Sequence, residues 1–385
     1  MELFDFQKKY IEKVKPNWIY DCDTGTGKTI MALSHHKRFF PGKNVLIVAP
    51  AAKIQERSWQ RTIDEHFSDT VSETCTYNLL SKKYKKYKDW FVIFDEAHRL
   101  KNSCGVWGKA GFALSKIACG FILLTATPLS NGWEDSINYF KMFGIVKNKT
   151  QFLNTYAIMA RKFGHFEIVG WKNKLDLNYR WKTISKRLNK EDCLDLPDVI
   201  VKKVYFSASN KYKAIEKTRV FGEEIFDTQM KLRHGLRLYA NLKEKIIYLK
   251  EILDSTIENV VIFYNYNEEL KLLTENIQKK IFFCNGRQKN IPSKKEWNST
   301  TNTVTLANYN SSSEGIELTY ANIVVYFSPT DSYTQFYQSL GRCHRAKQKN
   351  KVTVYHFTTK NTVEEKIYNA LGQKRDFNWE LYNCS

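Results

Sequence analysis

The residues best placed to do chemistry come in two sets, each following a short apolar run. Phe91-Val92-Ile93-Phe94 leads into Asp95-Glu96-Ala97-His98-Arg99-Leu100-Lys101-Asn102. The apolar residues predict a buried strand, and paired carboxylates at its C-terminal end stand where open α/β sheets place their ligands. Such a pair serves as the N-cap of the next helix, or as phosphoryl-transfer machinery in which the Asp holds Mg²⁺ and the Glu orients water. The second set decides between these. Trp18-Ile19-Tyr20-Asp21-Cys22-Asp23 runs into Thr24-Gly25-Thr26-Gly27-Lys28-Thr29 and then the helical-looking Ile30-Met31-Ala32-Leu33. Gly25 and Gly27 let backbone N–H groups wrap phosphates, Lys28 reaches the β/γ oxygens, and the Thr29 hydroxyl ligates Mg²⁺. Cys22 stands where the usual pattern has a glycine, and it is small enough for the turn. Thr24 to Thr29 together with Asp95 form the expected ATP·Mg²⁺ site, with Thr29 and Asp95 as metal ligands and Glu96 as the catalytic carboxylate.

Parallel sheets must hold these sets. Lys43-Asn44-Val45-Leu46-Ile47-Val48-Ala49-Pro50 predicts a central parallel strand with a ligand-facing end. Phe121-Ile122-Leu123-Leu124 predicts another, running into Thr125-Ala126-Thr127. Further strands are expected over 199–206, 260–264, 281–286, 304–307, 323–327 and 352–357. Strands alternating with helices in both halves argue for an α/β protein of two RecA-like domains, parallel sheets flanked by helices. The stretch 133–190 reads as a short helical protrusion, basic and aromatic. Trp171 and Trp181 within it either stack on an unpaired base or pack the segment's own small core. Lys82-Lys83-Tyr84-Lys85-Lys86-Tyr87-Lys88 either grips phosphates or is a solvated face. Near the C-terminus, Gln338-Ser339-Leu340-Gly341-Arg342-Cys343-His344-Arg345 places two arginines three apart, on one face of a helix. Their guanidinium groups are expected to stabilise charge on a transferring phosphoryl group; a merely basic helix is the alternative.

Asp95 to Asn102 resembles the signature of superfamily 2 helicases, in the Swi/Snf-like branch of duplex-DNA translocases. Its Arg-Leu-Lys-Asn tail separates that branch from RNA helicases sharing the acidic box, and Gln338 to Gln348 is in the same family register. The resemblance implies an ATP-dependent DNA translocase or helicase moving on duplex or branched DNA, in replication, recombination or remodelling of protein–DNA complexes. Replication or recombination proteins would be its protein partners. It implies a first lobe over 1–195, with the protrusion at about 133–190, and a second over 196–385. It also implies residue roles. Gln7 reads the adenine edge, unless it is an exposed helix glutamine. Pro50, Lys53, Thr76, Tyr77, Lys101 and Asn102 touch nucleic acid, as do Ser312 and Ser313. Thr125, Thr127 and His98 couple the two activities. Gly315 belongs to the nucleotide site, Gln338 acts with the two arginines, and Trp59 packs the helix after the second strand. The family has glycine where Ala126 stands, and often where Ser312 and Ser313 stand. Two rivals remain: an RNA helicase of the same superfamily, and a catalytically silent DNA-binding loader or clamp.

Composition sets the outer bounds. A length of 385 residues is enough for two domains with cores of their own, and 43% hydrophobic with 14% aromatic residues excludes a disordered chain. Sixty Lys and Arg against 40 Asp and Glu leave +20, which calls for a polyanionic partner, DNA before a membrane surface. No apolar run approaches the roughly 20 residues of a membrane span, and no secretory signal opens the sequence. The eight cysteines are scattered without Cys-x-x-Cys spacing. That predicts reduced thiols in a cytoplasmic protein, neither secreted nor membrane-bound, without structural zinc.

Overall fold

Uninterrupted runs of Val, Ile, Leu and Phe are buried only where both faces of a sheet are covered, and these runs form such sheets. The computed structural model describes residues 3–162, 165–312, 316–346 and 348–377. The chain divides into two units, Met1–Leu194 and Asp195–Ser385.

In the first unit the strands are β1 (Trp18–Cys22), β2 (Val45–Ala49), β3 (Ser72–Thr76), β4 (Phe91–Asp95) and β5 (Gly120–Thr125). They are followed by β6 (Ala157–Lys162), β7 (His165–Trp171) and β8 (Ser185–Leu188). The main sheet has the order β3-β2-β4-β5-β1-β8, with every pairing parallel. Period-two alternation sends Ile19, Leu46, Val48, Val92, Phe94 and Leu123 into one core. Tyr20, Val45, Ile47, Phe91, Ile93 and Leu124 enter the other. Because the strands are parallel, Cys22, Ala49, Thr76, Asp95 and Thr125 all end at one edge of the sheet. That edge collects the candidate residues.

The helix Lys28–Phe39 is fastened to this sheet by its buried His35. The ring's Nδ1 accepts from Tyr20 Oη at 3.0 Å, its Nε2 donates to Pro16 O at 3.0 Å, and it stacks on Phe91. Next to it, the Phe40 ring occupies the space a Cβ on Gly120 would take, at 2.1 Å, so a side chain at residue 120 would have to displace that ring. Burial lowers the His35 pKa to about 4, which makes the neutral ring part of the fold. A depressed pKa contributes stability that is complete above the unfolded-state value near 6.5 and is lost as pH falls towards 4. We expect about 3 kcal/mol of acid-sensitive stability from this ring. Tm measured from pH 7 to 4.5 should fall less steeply in His35→Gln than in the wild type.

The stretch 133–190 differs from its helical expectation. It holds the helices Ile137–Met142, Lys149–Tyr156 and Lys174–Ile184, but also the antiparallel pair β6–β7. It also supplies β8, which joins the main sheet beside β1. Ser-Lys-Arg-Leu carries no apolar run because β8 is an edge strand with two exposed residues. Trp171 lies 6.0 Å from Phe152, and Trp181 lies 6.3 Å from Trp133 and 6.2 Å from Tyr139. Both indoles pack against the core on one face of the main sheet, to which the segment contributes. In the lysine run, Tyr87 is buried and donates to Glu73 Oε1, while Lys82, Lys83, Lys85, Lys86 and Lys88 are exposed. The tyrosines of that run face inward, and the lysines make a solvated face.

The second unit carries β9 (Val199–Phe206), the short pair β10 (Val220–Phe221) and β11 (Glu224–Ile225), then β12 (Val260–Tyr264) and β13 (Lys280–Cys284). It ends with β14 (Thr303–Asn308), β15 (Ile323–Tyr326) and β16 (Val352–Thr359). Its sheet runs β13-β14-β12-β15-β16-β9, again parallel throughout. A buried ion pair, Lys245 with Glu364, fastens two helices to it. Lys245 Nζ also donates to Phe327 O, and Glu364 accepts from Thr359 N, so neither charge is left without hydrogen bonds. Among the described residues no helix is long and apolar enough to cross a membrane.

Candidate active site

The loop between β1 and the helix Lys28–Phe39 turns through Gly25 and Gly27, at φ 86° and 81°. L side chains rarely adopt these values. A Cβ on Gly27 would also lie 2.4 Å from Gln7 Nε2. Gln7 is buried, not an exposed helix glutamine. Its Nε2 donates to Thr26 O at 3.0 Å and its Oε1 accepts from Phe4 N at 3.0 Å. The Thr26 hydroxyl donates to Asp23 O at 2.9 Å, and Thr24 and Thr29 are half-buried. Lys28 turns its amine into the loop, donating to Cys22 O at 2.8 Å and Asp23 O at 2.9 Å. Burial pulls the Lys28 pKa below its ordinary value, and Glu96 is the main charge working the other way. The buried Cys22 thiol is pushed up to about 12 by desolvation and stays protonated.

Arg187 on β8 is a residue that sequence reasoning missed, because it sat in a stretch read as a basic helical protrusion. Its guanidinium donates to Asp21 Oδ1 at 2.6 Å and Ala126 O at 2.9 Å, and it also pairs with Asp23. Asp23 accepts a second bond from Lys190 N at 3.0 Å. One guanidinium therefore ties the glycine loop to the Thr125-Ala126-Thr127 turn.

The acidic pair closes β4. Asp95 is 2% exposed and Glu96 6%, and Glu96 sits at φ 52°, a left-handed backbone that a non-glycine residue holds only against strain. Asp95 Oδ1 accepts from Glu96 N at 2.9 Å, and its Oδ2 from Trp59 Nε1 at 3.0 Å and Lys53 Nζ at 2.8 Å. Lys53 Nζ is also 3.3 Å from Glu96 Oε1, and His98 Nδ1 lies 3.4 Å from Glu96 Oε2. Burial opposes ionisation of Glu96, but Lys53, His98 and Lys28 outweigh it and hold the carboxyl well below the usual range. Two adjacent carboxyl groups with an ammonium 2.8 Å away can bind a cation and orient water.

Several residues expected at nucleic acid make contacts within the unit. Lys53 sits on the acidic pair. Tyr77 is buried and its hydroxyl donates to Asp95 O at 2.7 Å, because the helix Tyr77–Lys83 packs its first turn under β4. The Thr76 hydroxyl caps that helix by accepting from Leu79 N at 3.2 Å. Pro50 is buried as the N-cap of the helix Ala51–Gln55. Lys101 is 13% exposed and bonds Ser130 Oγ at 2.6 Å and Asp135 Oδ2 at 2.7 Å, a pairing of the acidic box with the turn after β5. Asn102 is exposed, with its Oδ1 accepting from Cys104 N and Gly105 N. Thr125 is fully buried and its hydroxyl accepts from Thr127 N at 3.1 Å. Trp59 does more than pack a helix, since its indole N–H holds Asp95.

In the second unit the arginine spacing does not put both side chains on one helical face. The helix Tyr333–Cys343 stops before Arg345, with His344 at φ −104° and ψ 86°. His344 Nε2 donates to Pro197 O at 2.8 Å, and the buried Gln348 amide donates to Thr319 O, Ala321 O and Cys343 O. The bond to Cys343 O satisfies a carbonyl at the helix end, and the others tie the segment after it to Pro197, Thr319 and Ala321. Arg342 is 7% exposed, and its Nη1 donates to Ile316 O at 3.3 Å. Arg345 is half-buried beyond the helix, and Gln338 is buried within it. Ser312 ends the helix Tyr309–Ser312. Ser313 and Gly315 lie outside the described residues.

Two family models match. Residues 1–89 match the family described as type III restriction enzyme, res subunit, and residues 244–347 the helicase conserved C-terminal domain. The chain is 24% identical to the Caenorhabditis elegans homolog of SWI/SNF-related matrix-associated actin-dependent regulator of chromatin subfamily A-like protein 1, over 92% of this chain and 58% of that one. It is 25% identical to an ATP-dependent helicase of Mycoplasma pneumoniae, over 78% of this chain and 32% of that one. The chain thus spans less than two thirds of the length of the one relative and about a third of the other. Among solved structures, a Sulfolobus solfataricus SWI2/SNF2 ATPase core in complex with dsDNA aligns over 97% of this chain and 91% of that one. The identity in that comparison is 20% and the TM-score 0.46.

Proposed function

We propose that the chain, a superfamily 2 helicase of the Swi/Snf-like branch, hydrolyses ATP to move along duplex or branched DNA. The observation that carries the ATPase half is the meeting, at one edge of the first sheet, of the Lys28 loop with the buried Asp95–Glu96 pair. The DNA half is supported by the +20 charge.

The residues fit a nucleotide polyphosphate and its cation. Gly25 and Gly27 free the loop of side chains where phosphates would approach, and Lys28 already donates to two loop carbonyls that phosphate oxygens would replace. Thr29 and Asp95 would hold Mg²⁺, which would supply positive charge against the phosphates. Glu96, ionised and fixed in direction by His98 and Lys53, accepts a hydrogen bond from the attacking water and aims it. Lys28 stabilises charge on the leaving oxygens. Arg342 and Arg345 are proposed to add positive charge in the transition state. Lys101, Asp135 and Arg187 hold the acidic box, the Thr125–Thr127 turn and the glycine loop in one register, so a change at the phosphates is felt at all three.

The test is the ATPase rate with blunt duplex, four-way junction, forked DNA, single-stranded DNA and single-stranded RNA at matched nucleotide concentration. Duplex or junction DNA should stimulate by at least about tenfold more than either single strand, and raising the salt should weaken the stimulation steeply. Stimulation by RNA alone would turn the reading to an RNA helicase. No turnover with any of them would leave a silent DNA-binding clamp.

A further inference from the structure

Two adjacent carboxylates, 3% and 8% exposed in their side chains, need a counter-charge. The chain supplies one from a distance of 42 residues. Lys53 Nζ spans both, at 2.8 Å from Asp95 Oδ2 and 3.3 Å from Glu96 Oε1, and is itself only 18% exposed. Lys28 is the other nearby ammonium, but its two short bonds run to loop carbonyls. The helix that carries Lys53, Ala51–Gln55, contains no buried residue; Ile54 alone packs part-way against the core. The contact with the acidic pair is therefore a main anchor of that short helix.

We propose that Lys53 is a resident counter-ion of the acidic pair, displaced when a divalent cation binds with nucleotide, and that the released ammonium then takes a nucleic-acid phosphate. This rests on the nucleotide-site reading above. The reasoning is electrostatic. A dication on Asp95 supplies the charge that Lys53 provides in its absence, and it repels an ammonium sharing the same carboxylate. Lys53 then has no reason to stay in a nearly dry position. Its helix starts from the end of β2, at the edge where the nucleotide residues gather, and lifts at little packing cost. One lysine would thereby make the grip on DNA depend on the state of the nucleotide site, without a dedicated relay. Lys53 is a positioning residue in this scheme, acting through Asp95.

The experiment uses the full chain with Lys53→Met, a substitution of similar length without charge, and Lys53→Arg. Binding of a fluorescent ADP is titrated with Mg²⁺. Duplex affinity is measured against salt, with and without a non-hydrolysable ATP analogue. In the wild type, the slope of log K against log salt should steepen by about 0.9 when Mg²⁺ and analogue are bound, the value for one added phosphate contact. In Lys53→Met the half-saturating Mg²⁺ should fall about tenfold, the low end of what a neighbouring charge does to a carboxylate's cation affinity. The change of salt slope should also vanish. Lys53→Arg, able to hold both carboxylates with its fork, should raise the half-saturating Mg²⁺, and it carries the test if the Met variant does not fold. Unchanged Mg²⁺ dependence in both variants would overturn the proposal and make Lys53 a permanent part of the site. A slope change that persists in Lys53→Met would overturn the transfer to DNA. Failure of the wild type to bind nucleotide at all would instead sink the nucleotide-site reading.

Discussion

Lys28→Ala will reduce ATP turnover by at least about 10³-fold, the cost of removing a main charge stabiliser from a phosphoryl-transfer site. The folded chain should hardly notice. In the structure the Lys28 amine bonds the carbonyls of Cys22 and Asp23 within its own loop, and burial already lowers its pKa. Its charge is therefore held at some cost when no phosphate is present. The loop itself is fixed by other contacts: Gln7 on Thr26, the Thr26 hydroxyl on Asp23, and Arg187 on Asp21 and Asp23. Tm should stay within about 3 °C of the wild type. Duplex affinity at low salt should change by less than about twofold, because only one of 60 basic residues is removed. Steady-state ATPase, thermal melting and duplex anisotropy measured together decide the matter. Turnover within about tenfold of wild type would take the phosphates away from this loop.

How legible the site was depended on the range of the contact. The strands β1, β2, β4 and β5 announce themselves because parallel strands covered on both faces must be apolar throughout. The same logic hides β3 and β8. Ser72–Thr76 and Ser185–Leu188 are edge strands, half-exposed and polar, so no apolar run marks them. The glycine loop and acidic box were readable because their chemistry is local, a matter of which residues follow a strand end. What those residues touch was not. Lys53, Tyr77 and Lys101 look like free basic or polar groups in the sequence, and each is committed to a partner brought close only by the strand order β3-β2-β4-β5. Lysine and carboxylate 42 positions apart carry no mark of their pairing. Arg187 was obscured twice, by its edge strand and by its separation of 166 residues from Asp21. The arginine pair shows the converse limit: a three-residue spacing predicts one face only while the helix lasts, and this one ends at Cys343, with His344 out of helical conformation.

That ending separates the two arginines, and the separation predicts different phenotypes. Arg342 is 7% exposed inside the second unit, its Nη1 on Ile316 O. Its own carbonyl accepts from Leu318 N. Truncating it removes a buried cation from a network of backbone groups, so Arg342→Ala should lower the stability of the second unit by about 2–3 kcal/mol, whatever it does to turnover. Arg345, past the helix and half-buried, has no such structural commitment among the bonds described for it. Arg345→Ala should keep Tm within about 2 °C and retain nucleotide and duplex binding. If the side chain stabilises transition-state charge, kcat should fall by roughly 10³-fold or more in a DNA-saturated assay. Lys in its place restores the charge but not the planar fork, so Arg345→Lys should recover only part of the rate. A transition-state role therefore shows as a fall in kcat at constant nucleotide affinity and constant Tm. Lost duplex affinity with unchanged kcat at saturation would place Arg345 on the nucleic acid instead. A kcat for Arg345→Ala equal to wild type, in a protein that melts normally, would reduce it to one more basic residue of a strongly basic chain.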